Sequence, residues 1–369
     1  MKFFLRMVAG SFLIILGIVL SYLLVFKSTD VISKLSFWTG EMKHRADNQT
    51  KGNINPAEPH IPPPVANPPV QQTTLAFRCM HFFDLDNGII MGTKNMAGFM
   101  LTTKDGGKSW EESAIADYIE IYAVSFPDKT TGYAVGITGS DTRFSFLKSM
   151  NSGKTWEIQF IEDEKREAMY AVYFADEKNG WIAGRLELIF ATNDGGKTWK
   201  KQHMGTERNI RGLYFVNEKT GWAVGDAGII LKTDDGGLNW MQQKSDAVLS
   251  LSAIKMLDKN YGVCVGLGNT YLWTHDGGVN WHLDRTPWVR HLQSVSIIDK
   301  EHAWVAAHVG GIIKLTDSFR NFVFIPTNTT SNLQTCFFVD QNNGWAAGED
   351  GTVIHSSNGG NNWAIQWPK

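Results

Sequence analysis

The sequence of 369 residues contains only three cysteines, and their spacing excludes the common cysteine-based metal sites. Cys79, Cys264 and Cys336 form neither a CxxC pair nor a zinc-finger pattern. All three fall on predicted strands, so we expect buried free thiols. Cys79 and Cys336 lie on the first and last of the repeats described below, which leaves a ring-closing disulfide as the alternative, although repeat alignment puts the two out of phase.

The chain also lacks an excess of charge of either sign and the usual catalytic motifs. The formal net charge is −2 and the sequence pI is about 6.6, so no nucleic-acid partner is predicted. Its 10 histidines form no HExxH pattern, and there is neither a GxSxG elbow nor a phosphate-binding loop. The sequence therefore predicts no catalytic residue, no metal site and no cofactor.

What the chain does contain is a sevenfold repeat. A motif of the form T-x-D-G-G-x-x-W recurs at a spacing close to 41 residues, the length of one four-stranded propeller blade. The aromatic residues that end its seven copies are Trp110, Trp156, Trp199, Trp240, Trp281, Phe322 and Trp363. A second motif, F-x-D-x-x-x-G-W-A-V-G, keeps the same rhythm, as at residues 215–225, where Asn217 stands at the Asp position. The two together predict an all-β fold, a seven-bladed β-propeller with Asp-box repeats, in which each blade has strands A to D.

The Asp-Gly-Gly turns and their tryptophans are interpreted as scaffold. An Asp side chain accepts hydrogen bonds from backbone N–H groups just ahead of it, and Gly adopts positive φ without strain. Calcium binding is the alternative, but calcium takes about six to eight oxygen ligands and each turn offers one or two. The sixth copy has Leu315, Phe319 and Phe322 in place of Thr, Gly and Trp, so we expect a distorted turn there.

The first 27 residues have a different character from the repeats. The stretch from Met7 to Phe26 contains no charged residue, and Lys2 and Arg6 precede it. At a rise of 1.5 Å per residue such a helix spans about 30 Å, the thickness of a bilayer core. We therefore predict an uncleaved signal anchor, an N-terminal transmembrane helix at residues 1–27, with a cleaved signal peptide as the alternative.

A tether is predicted between this anchor and the propeller. Residues 28–72 include seven prolines between Asn53 and Pro69, which favours a semi-rigid extended spacer. The propeller is assigned to residues 73–369. Because the basic residues precede the apolar run, the N-terminus is predicted inside and the propeller on the exported side, periplasmic or extracytoplasmic, of the inner membrane.

Arginine, unlike lysine, is concentrated on one face of the predicted propeller. The D–A and B–C loops form this face, and the A–B turns and Asp boxes form the opposite one. All arginines after residue 72 except Arg320 fall in or beside these loops: Arg78, Arg143, Arg166, Arg185, Arg208, Arg211, Arg285 and Arg290. The planar guanidinium suits carboxylates, phosphates and aromatic faces and is enriched at protein interfaces. The pattern favours a recognition surface, with ordinary surface ion pairs as the alternative because acidic residues share the face.

The repeat also predicts which residues surround the mouth of the central channel. Equivalent positions at the start of the seven A strands are Arg78, Tyr122, Tyr170, Arg211, Ser252, Gln293 and Gln334. The candidate partner-binding residues are therefore Arg143, Arg166, Arg185, Arg208, Arg211, Arg78, Arg290, Tyr122 and Tyr170. We expect the cluster around blades two to four to carry most of the contact.

The combined motifs resemble a known family, most clearly at residues 215–240 and 338–363. They are similar to the photosystem II assembly and stability factors of cyanobacteria and chloroplasts and to related exported bacterial proteins. The resemblance covers roughly residues 77–369. It implies a non-catalytic seven-bladed propeller with an arginine patch that binds a client membrane protein, whereas the individual arginines of that patch are not transferable to this sequence. The anchor and the proline-rich tether depart from the family pattern.

The sequence leaves two classes of function. The first is a membrane-tethered, non-catalytic propeller that docks a protein partner through its arginine-bearing face, as an assembly or stability factor for a membrane or envelope complex. The second is an exported sialidase-like glycoside hydrolase or glycan-binding lectin. The early Arg-Ile-Pro motif of sialidases is missing, since Phe324-Ile325-Pro326 lacks the arginine and comes late. A small-molecule or glycan ligand belongs to this second class.

Overall fold

The structure, a computed structural model, describes residues 74–138, 144–161, 167–287 and 290–368. In these ranges the strands form seven antiparallel sheets of four strands, each built from strands that follow one another in the chain. Every A strand contacts the A strands of the two neighbouring sheets, and the last contacts the first, so the sheets close into a ring. The predicted seven-bladed β-propeller is confirmed.

The strand bounds follow the repeat. The A strands are β1 Leu75–Phe82, β5 Ile119–Ser125, β9 Met169–Phe174, β13 Ile210–Phe215, β17 Leu251–Met256, β21 Leu292–Ile297 and β25 Leu333–Phe338. The B strands are β2 Gly88–Lys94, β6 Gly132–Thr138, β10 Gly180–Gly184, β14 Gly221–Gly225, β18 Gly262–Gly266, β22 Ala303–Ala307 and β26 Gly344–Gly348. The C strands are β3 Ala97–Thr103, β7 Phe144–Ser149, β11 Ile189–Thr192, β15 Ile230–Thr233, β19 Thr270–Thr274, β23 Gly311–Thr316 and β27 Val353–Ser356. The D strands are β4 Glu111–Ala116, β8 Glu157–Phe160, β12 Lys200–Lys201, β16 Met241–Gln242, β20 His282–Arg285, β24 Asn321–Pro326 and β28 Ala364–Trp367. One short 3₁₀ helix, Asp226–Gly228, lies in a B–C loop.

Hydrogen bonds between loops define the two faces of the propeller. On one face the Asp boxes bond to the A–B turns, as where the Gly236 N–H donates to the Lys219 carbonyl at 2.8 Å. On the other face the D–A loops bond to the B–C loops, as where the Arg208 guanidinium donates to the Ala227 carbonyl at 2.9 Å. We call the second of these the loop face.

The blades are joined by a repeated aromatic contact. Trp181 on β10 stacks on Phe215 of the next blade, with ring centroids 3.6 Å apart, and its indole N–H donates to the Gly236 carbonyl at 2.9 Å. Gly221 makes room for this stack, because a Cβ there would lie 2.3 Å from the Phe215 ring. The Phe and Gly-Trp of the second sequence motif are therefore the two sides of one joint between blades.

The same joint closes the ring between the last and first blades. Trp345 stacks on Phe82 at 3.8 Å and donates its indole N–H to the Gly106 carbonyl at 3.3 Å. A single antiparallel bridge, Ala76 with Glu349, adds a backbone link across the seam. Since β1 is the A strand of the first blade and no described strand crosses between sheets, the seam is held by side-chain packing together with these few hydrogen bonds.

The Asp boxes are held by internal hydrogen bonds. In the fourth blade the Asp235 carboxylate accepts the backbone N–H of Asn239 at 2.9 Å and the Thr233 hydroxyl at 2.8 Å. Gly236 and Gly237 adopt φ of 76° and 91°, which only glycine takes without strain. These contacts support the interpretation of the box as a turn scaffold.

The sixth Asp box departs from this geometry, as the sequence predicts. Asp317, Ser318 and Phe319 all adopt positive φ, at 50°, 53° and 74°, in a turn without the paired glycines. Ser318 still donates its N–H to the Lys300 carbonyl, so the link to the A–B turn is kept. The Phe319 side chain is fully buried and adds to the core between the fifth and sixth blades.

Of the remaining sequence predictions, those on the cysteines fall within the described residues, whereas those on the anchor and the tether fall before residue 74. Cys79, Cys264 and Cys336 are all buried free thiols, so the expectation of free cysteines is confirmed and the ring-closing disulfide is not formed. In the part of the chain that the structure describes, no helix is long and apolar enough to cross a membrane. The predicted anchor at residues 1–27 and tether at residues 28–72 lie outside the described residues.

Candidate functional site: the mouth and inner ring of the central channel

A β-bulge in every A strand builds the channel mouth. In the fourth blade Ile210 pairs with Gly225 and Gly212 pairs with Val224, so that Arg211 between them has no partner on the B strand. The same break in register occurs in all seven blades. The unpaired residues are Arg78, Tyr122, Tyr170, Arg211, Ser252, Gln293 and Gln334, and all seven line one central cavity of about 470 Å³. A bulge re-aims one side chain per strand, and here it provides the ring of residues that the repeat predicts.

The last glycine of the B-strand motif accommodates the bulge in six of the seven blades. A Cβ on Gly225 would lie 2.0 Å from the Asn209 carbonyl oxygen, which the bulge pushes against the B strand. Equivalent contacts of about 2 Å occur at glycines in five other blades. In the sixth blade Ala307 occupies this position opposite Leu292. The terminal Gly of the G-W-A-V-G motif therefore leaves room for the bulge in six blades, while the sixth blade keeps the bulge with Ala307.

Two aromatic rings and an arginine form a connected line across the mouth in blades two to four. The rings of Tyr122 and Tyr170 meet edge to face with centroids 5.5 Å apart, and the Arg211 guanidinium lies 5.5 Å from the Tyr170 centroid. The Tyr122 hydroxyl donates to Glu120 at 2.9 Å, while Arg211 donates to Asp226 at 2.6 Å. Each end of the line thus has a carboxylate beside it.

Two groups at the mouth, Tyr122 and Asp226, have shifted pKa values. Burial and the hydrogen bond to Glu120 raise the pKa of Tyr122 well above its usual value. Burial alone would raise the pKa of Asp226, but hydrogen bonds from Arg211 and other neighbours outweigh it and lower that pKa. At neutral pH Tyr122 is consequently a neutral hydroxyl and Asp226 a carboxylate that orients Arg211.

The arginines predicted from the sequence differ in how they are engaged. Arg78 and Arg211 lie in the mouth. Arg185 forms an ion pair with Glu167 at 3.2 Å on the loop face. Arg143 and Arg166 lie outside the described residues.

Two further arginines are used within the fold. Arg208 donates to the carbonyl of Ala227, and Arg290 donates to the carbonyls of His308 and Val309 at 2.9 Å and 2.7 Å. Ala227 and Val309 have positive φ in their B–C loops, at 54° and 57°. Arg208 and Arg290 therefore brace the backbone of the neighbouring loop, which leaves less of each guanidinium for a partner than in Arg78.

The sequence analysis missed a second ring of residues, three positions further along each A strand. These are His81, Ser125, Tyr173, Tyr214, Lys255, Ser296 and Phe337, and all of them line the same cavity. We call them the inner ring. At about 3.3 Å per residue they lie roughly 10 Å below the mouth. The same repeat phase that locates the mouth would have found them, since Lys255 is the one lysine on any A strand.

The inner ring is divided into an aromatic half and a polar half. His81 in the first blade contacts the rings of Phe83 and Phe126 at 4.9 Å and Phe337 at 5.2 Å. Burial, followed by the positive charge of Lys255, lowers the pKa of His81 to about 4, so the imidazole is neutral at pH 7.

The polar half lies in blades three to five. The rings of Tyr173 and Tyr214 are 4.9 Å apart, and the ammonium group of Lys255 lies 4.9 Å from the Tyr214 centroid. Burial and the neighbouring Tyr214 raise the pKa of the Tyr173 hydroxyl well above its usual value. The polar half thus presents two tyrosine hydroxyls beside the Lys255 ammonium group.

The charged side chains that line the channel are cationic, whereas the carboxylates of Glu120 and Asp226 stand behind its mouth. Arg78, Arg211 and Lys255 line it, and among the described residues that line it none is Asp or Glu. Acid–base hydrolysis of a glycoside generally uses two carboxyl groups, and this cavity does not offer a pair. No group of three or more His, Cys, Asp or Glu side chains in the described ranges is arranged to hold a metal ion.

Comparison with known proteins places this geometry in context. The chain is 37% identical over 65 residues to Photosystem II assembly lipoprotein Ycf48 of Prochlorococcus marinus (strain NATL2A), a stretch that covers 17% of this chain and 19% of that relative. A solved structure of YCF48 bound to D1 peptide superposes with a TM-score of 0.57 at 21% identity, covering 68% of this chain and 81% of that one. The GH74 xyloglucanase of Xanthomonas campestris superposes with a TM-score of 0.62 at 11% identity, covering 79% of this chain and 54% of that chain.

At these identities the two structural matches establish the propeller fold alone. The family follows from the sequence. Residues 117–367 match the family described as Photosynthesis system II assembly factor YCF48, which is more than half of the chain. The resemblance drawn from the repeat motifs is confirmed: the protein belongs to the YCF48 family of photosynthesis system II assembly factors.

Proposed function

We propose that this protein is a membrane-tethered, non-catalytic propeller that docks a protein partner on its loop face, over the channel mouth. The observation that carries the proposal is the ring of seven bulged residues. A bulged side chain is released from the sheet, and in this ring two arginines and two tyrosines occupy four of the seven positions. Arginine and tyrosine are the residue types that most often dominate binding energy at protein interfaces.

The opposite face offers less for recognition. Its Asp-box side chains are used in hydrogen bonds within their own turns, as at Asp235, which accepts bonds from Asn239 and Thr233. On the loop face Arg78 has no hydrogen-bond or ion-pair partner among the described residues. We therefore assign the partner to the loop face, with Arg78, Tyr122, Tyr170 and Arg211 at the centre of the interface.

The loop arginines form the rim of this proposed interface. By repeat position Arg185, Arg208 and Arg290 belong to loops around the mouth, and we propose the same for Arg143 and Arg166, which lie outside the described residues. The structure of a YCF48 protein with a D1 peptide supports a peptide segment as the kind of partner. We propose a segment of a membrane protein that is exposed during assembly as the partner of this chain.

The tether is the second half of the proposal. Residues 1–27 are proposed to anchor the chain in the membrane and residues 28–72 to hold the propeller away from it, on the exported side. The description of the Prochlorococcus relative as a lipoprotein supports membrane association by some form of anchor. Attachment confines the search for a partner to the membrane surface and raises the effective concentration of the docking face there.

The other candidate function is an exported glycoside hydrolase or lectin. The xyloglucanase shares the propeller fold, so this fold is compatible with a glycoside hydrolase. A hydrolase in the channel would need carboxylates where the described lining has arginines, lysine and tyrosines. A lectin needs no such pair, and carbohydrate binding is treated as an outcome of the test below.

The test is a crosslinking pull-down from native membranes with three forms of the full-length protein. The mouth variant carries Arg78→Glu and Arg211→Glu. The control variant carries Arg320→Glu and Lys154→Glu, an equal change of charge at exposed positions on the Asp-box face. Each variant is first checked for native far-ultraviolet circular dichroism.

We expect the mouth variant to lose its specific crosslinks by at least about tenfold, because two interface arginines commonly contribute more than about 2 kcal/mol together. The control should keep them. Equal crosslinks from all three forms would overturn the assignment to the mouth. Binding of the wild type to immobilised glycans, without any protein crosslink, would favour the lectin instead.

A further inference from the structure

We propose that the inner ring of the channel binds a small organic monocarboxylate with an apolar or aromatic body, and that Lys255 is the residue that binds its carboxylate. This site is separate from the docking face, because it lies roughly 10 Å below the mouth, three residues further along the A strands. It also extends the proposed function, since it gives the propeller a small-molecule ligand of its own.

The first observation is a lysine whose charge is not balanced inside the cavity. Lys255 is half-buried on β17, and its ammonium group lies over the Tyr214 ring at 4.9 Å. Among the described residues none forms a hydrogen bond or an ion pair with it. Lysines in protein interiors are usually paired, whereas half-buried Lys255 faces the channel without such a partner. An anion in the channel would supply the missing partner.

The second observation is the sign of the surrounding charge. Arg78 and Arg211 stand at the mouth above Lys255, and no Asp or Glu is among the described lining residues. Asp226 is held by Arg211 at 2.6 Å and is not part of the lining. A narrow passage lined by one sign of charge concentrates ions of the opposite sign. Glu120 and Glu349 lie behind the mouth, bonded to Tyr122 and Gln334, so the positive charge is confined to the lining itself, where it favours an anion at Lys255.

The third observation selects the class of anion. A single lysine in the inner ring matches one negative charge, whereas a phosphate dianion is better served by several cations or an arginine fork. Tyr173 and Tyr214 add hydroxyl groups beside the ammonium group. The polar half of the ring thus fits the two oxygens of one carboxylate.

The opposite half of the ring fits an apolar body. His81 is neutral at pH 7 and contacts Phe126 and Phe337, which makes a continuous aromatic wall across the channel from blades three to five. The cavity of about 470 Å³ lies within the usual range of small-molecule sites, about 300–1,000 Å³. A ring-bearing monocarboxylate would place its body on this wall and its charge at Lys255.

The test uses full-length protein in a non-ionic detergent and sodium benzoate as the probe, with binding measured by isothermal titration calorimetry. Benzamide is the neutral analogue and inorganic phosphate the compact anion. The variant is Lys255→Met, which keeps the length of the side chain. Lys232→Met is the matched control, because Lys232 also lies over an aromatic ring, Trp222 at 5.4 Å, but is paired with Asp234 and does not line the channel.

We expect benzoate to bind the wild type and the Lys232→Met control alike, and to bind Lys255→Met about tenfold or more weakly. Benzamide and phosphate should bind the wild type at least about tenfold more weakly than benzoate. No binding of benzoate, equal binding of benzamide or phosphate, or an unchanged Lys255→Met affinity would each overturn the proposal. The comparison of ligands on the wild type stands even if the variant fails to fold.

The outcome is independent of the docking test. The Lys255→Met variant keeps Arg78 and Arg211, so retained protein crosslinks with lost benzoate binding would separate the inner ring from the docking face. Lost crosslinks with retained benzoate binding in the Arg78→Glu and Arg211→Glu variant would make the same separation from the other side.

Discussion

The seam of the ring provides a quantitative test of how this propeller is held together. Trp345 joins the seventh blade to the first, and Trp181 joins the third to the fourth. Both are almost fully buried, at 1% and 2% exposure, and both stack on a phenylalanine of the following blade. If packing alone closes the ring, Trp345→Ala and Trp181→Ala should reduce the free energy of unfolding by similar amounts.

The magnitude follows from the interactions that each substitution removes. Replacing a buried Trp by Ala usually costs about 3–5 kcal/mol, which includes the aromatic pair and the cavity left behind. Each variant also loses one indole hydrogen bond, to Gly106 at 3.3 Å or to Gly236 at 2.9 Å, each worth about 1 kcal/mol. We expect losses of about 3–5 kcal/mol for both variants, with a difference between them below about 1 kcal/mol.

The measurement is equilibrium unfolding of the full-length protein in urea, followed by far-ultraviolet circular dichroism, with the slope of the transition checked for two-state behaviour. A cost near zero for Trp345→Ala beside several kcal/mol for Trp181→Ala would refute the reasoning. The ring would then be held shut by something other than the joint that repeats around it.

Two further predictions concern the channel strands. His81 has a pKa lowered from 6.5 to about 4 in the folded protein, so the unfolded chain binds an additional proton between these values and stability falls as the pH drops from about 6.5 to about 4. The loss reaches at most about 3 kcal/mol. His81→Phe should flatten this dependence in urea midpoints measured across that window, and an unchanged slope would contradict it. Gly225→Ala places a Cβ 2.0 Å from the Asn209 carbonyl, so we expect about 1–3 kcal/mol of destabilisation, whereas Ala307→Gly in the sixth blade should change stability by no more than about 1 kcal/mol. The thermal midpoints of the two variants test this prediction. Similar losses in both would indicate that the position tolerates no substitution, whatever the size of the residue.

The fold could be predicted from the sequence because the repeat contains both sides of the contact between neighbouring blades. Phe215 and Trp181 stack across blades, and Gly221 is small because the phenylalanine ring lies against it. A repeat that encodes both sides of a contact specifies which elements are neighbours without any long-range inference. The distortion of the sixth box at Phe319 was predictable for the same reason, since the residues that form the turn were replaced together.

The mouth could be located from the sequence but its chemistry could not. Repeat phase gives the position of Arg211 along its strand, and it does not give the Asp226 carboxylate that holds the guanidinium at 2.6 Å. Arg208 and Arg290 show the same limit more strongly, because their partners are backbone carbonyls in a neighbouring loop. Every residue has a backbone carbonyl, so the sequence does not show which carbonyl accepts the hydrogen bond of an arginine. The inner ring, by contrast, was accessible to repeat phase through Lys255.

The bulges of the A strands have a consequence for how such a protein changes over time. The bulged residue of each A strand has no partner on the B strand and takes no part in the Trp–Phe contacts between blades. It can therefore be replaced without disturbing the sheet, and each blade contributes one such position. The seven mouth positions are here Arg, Tyr, Tyr, Arg, Ser, Gln and Gln. The sheets that carry them do not depend on which residues occupy these positions. If the mouth is the docking site, as proposed, substitutions at these seven positions can change which partner binds without changing the residues that accommodate the bulges.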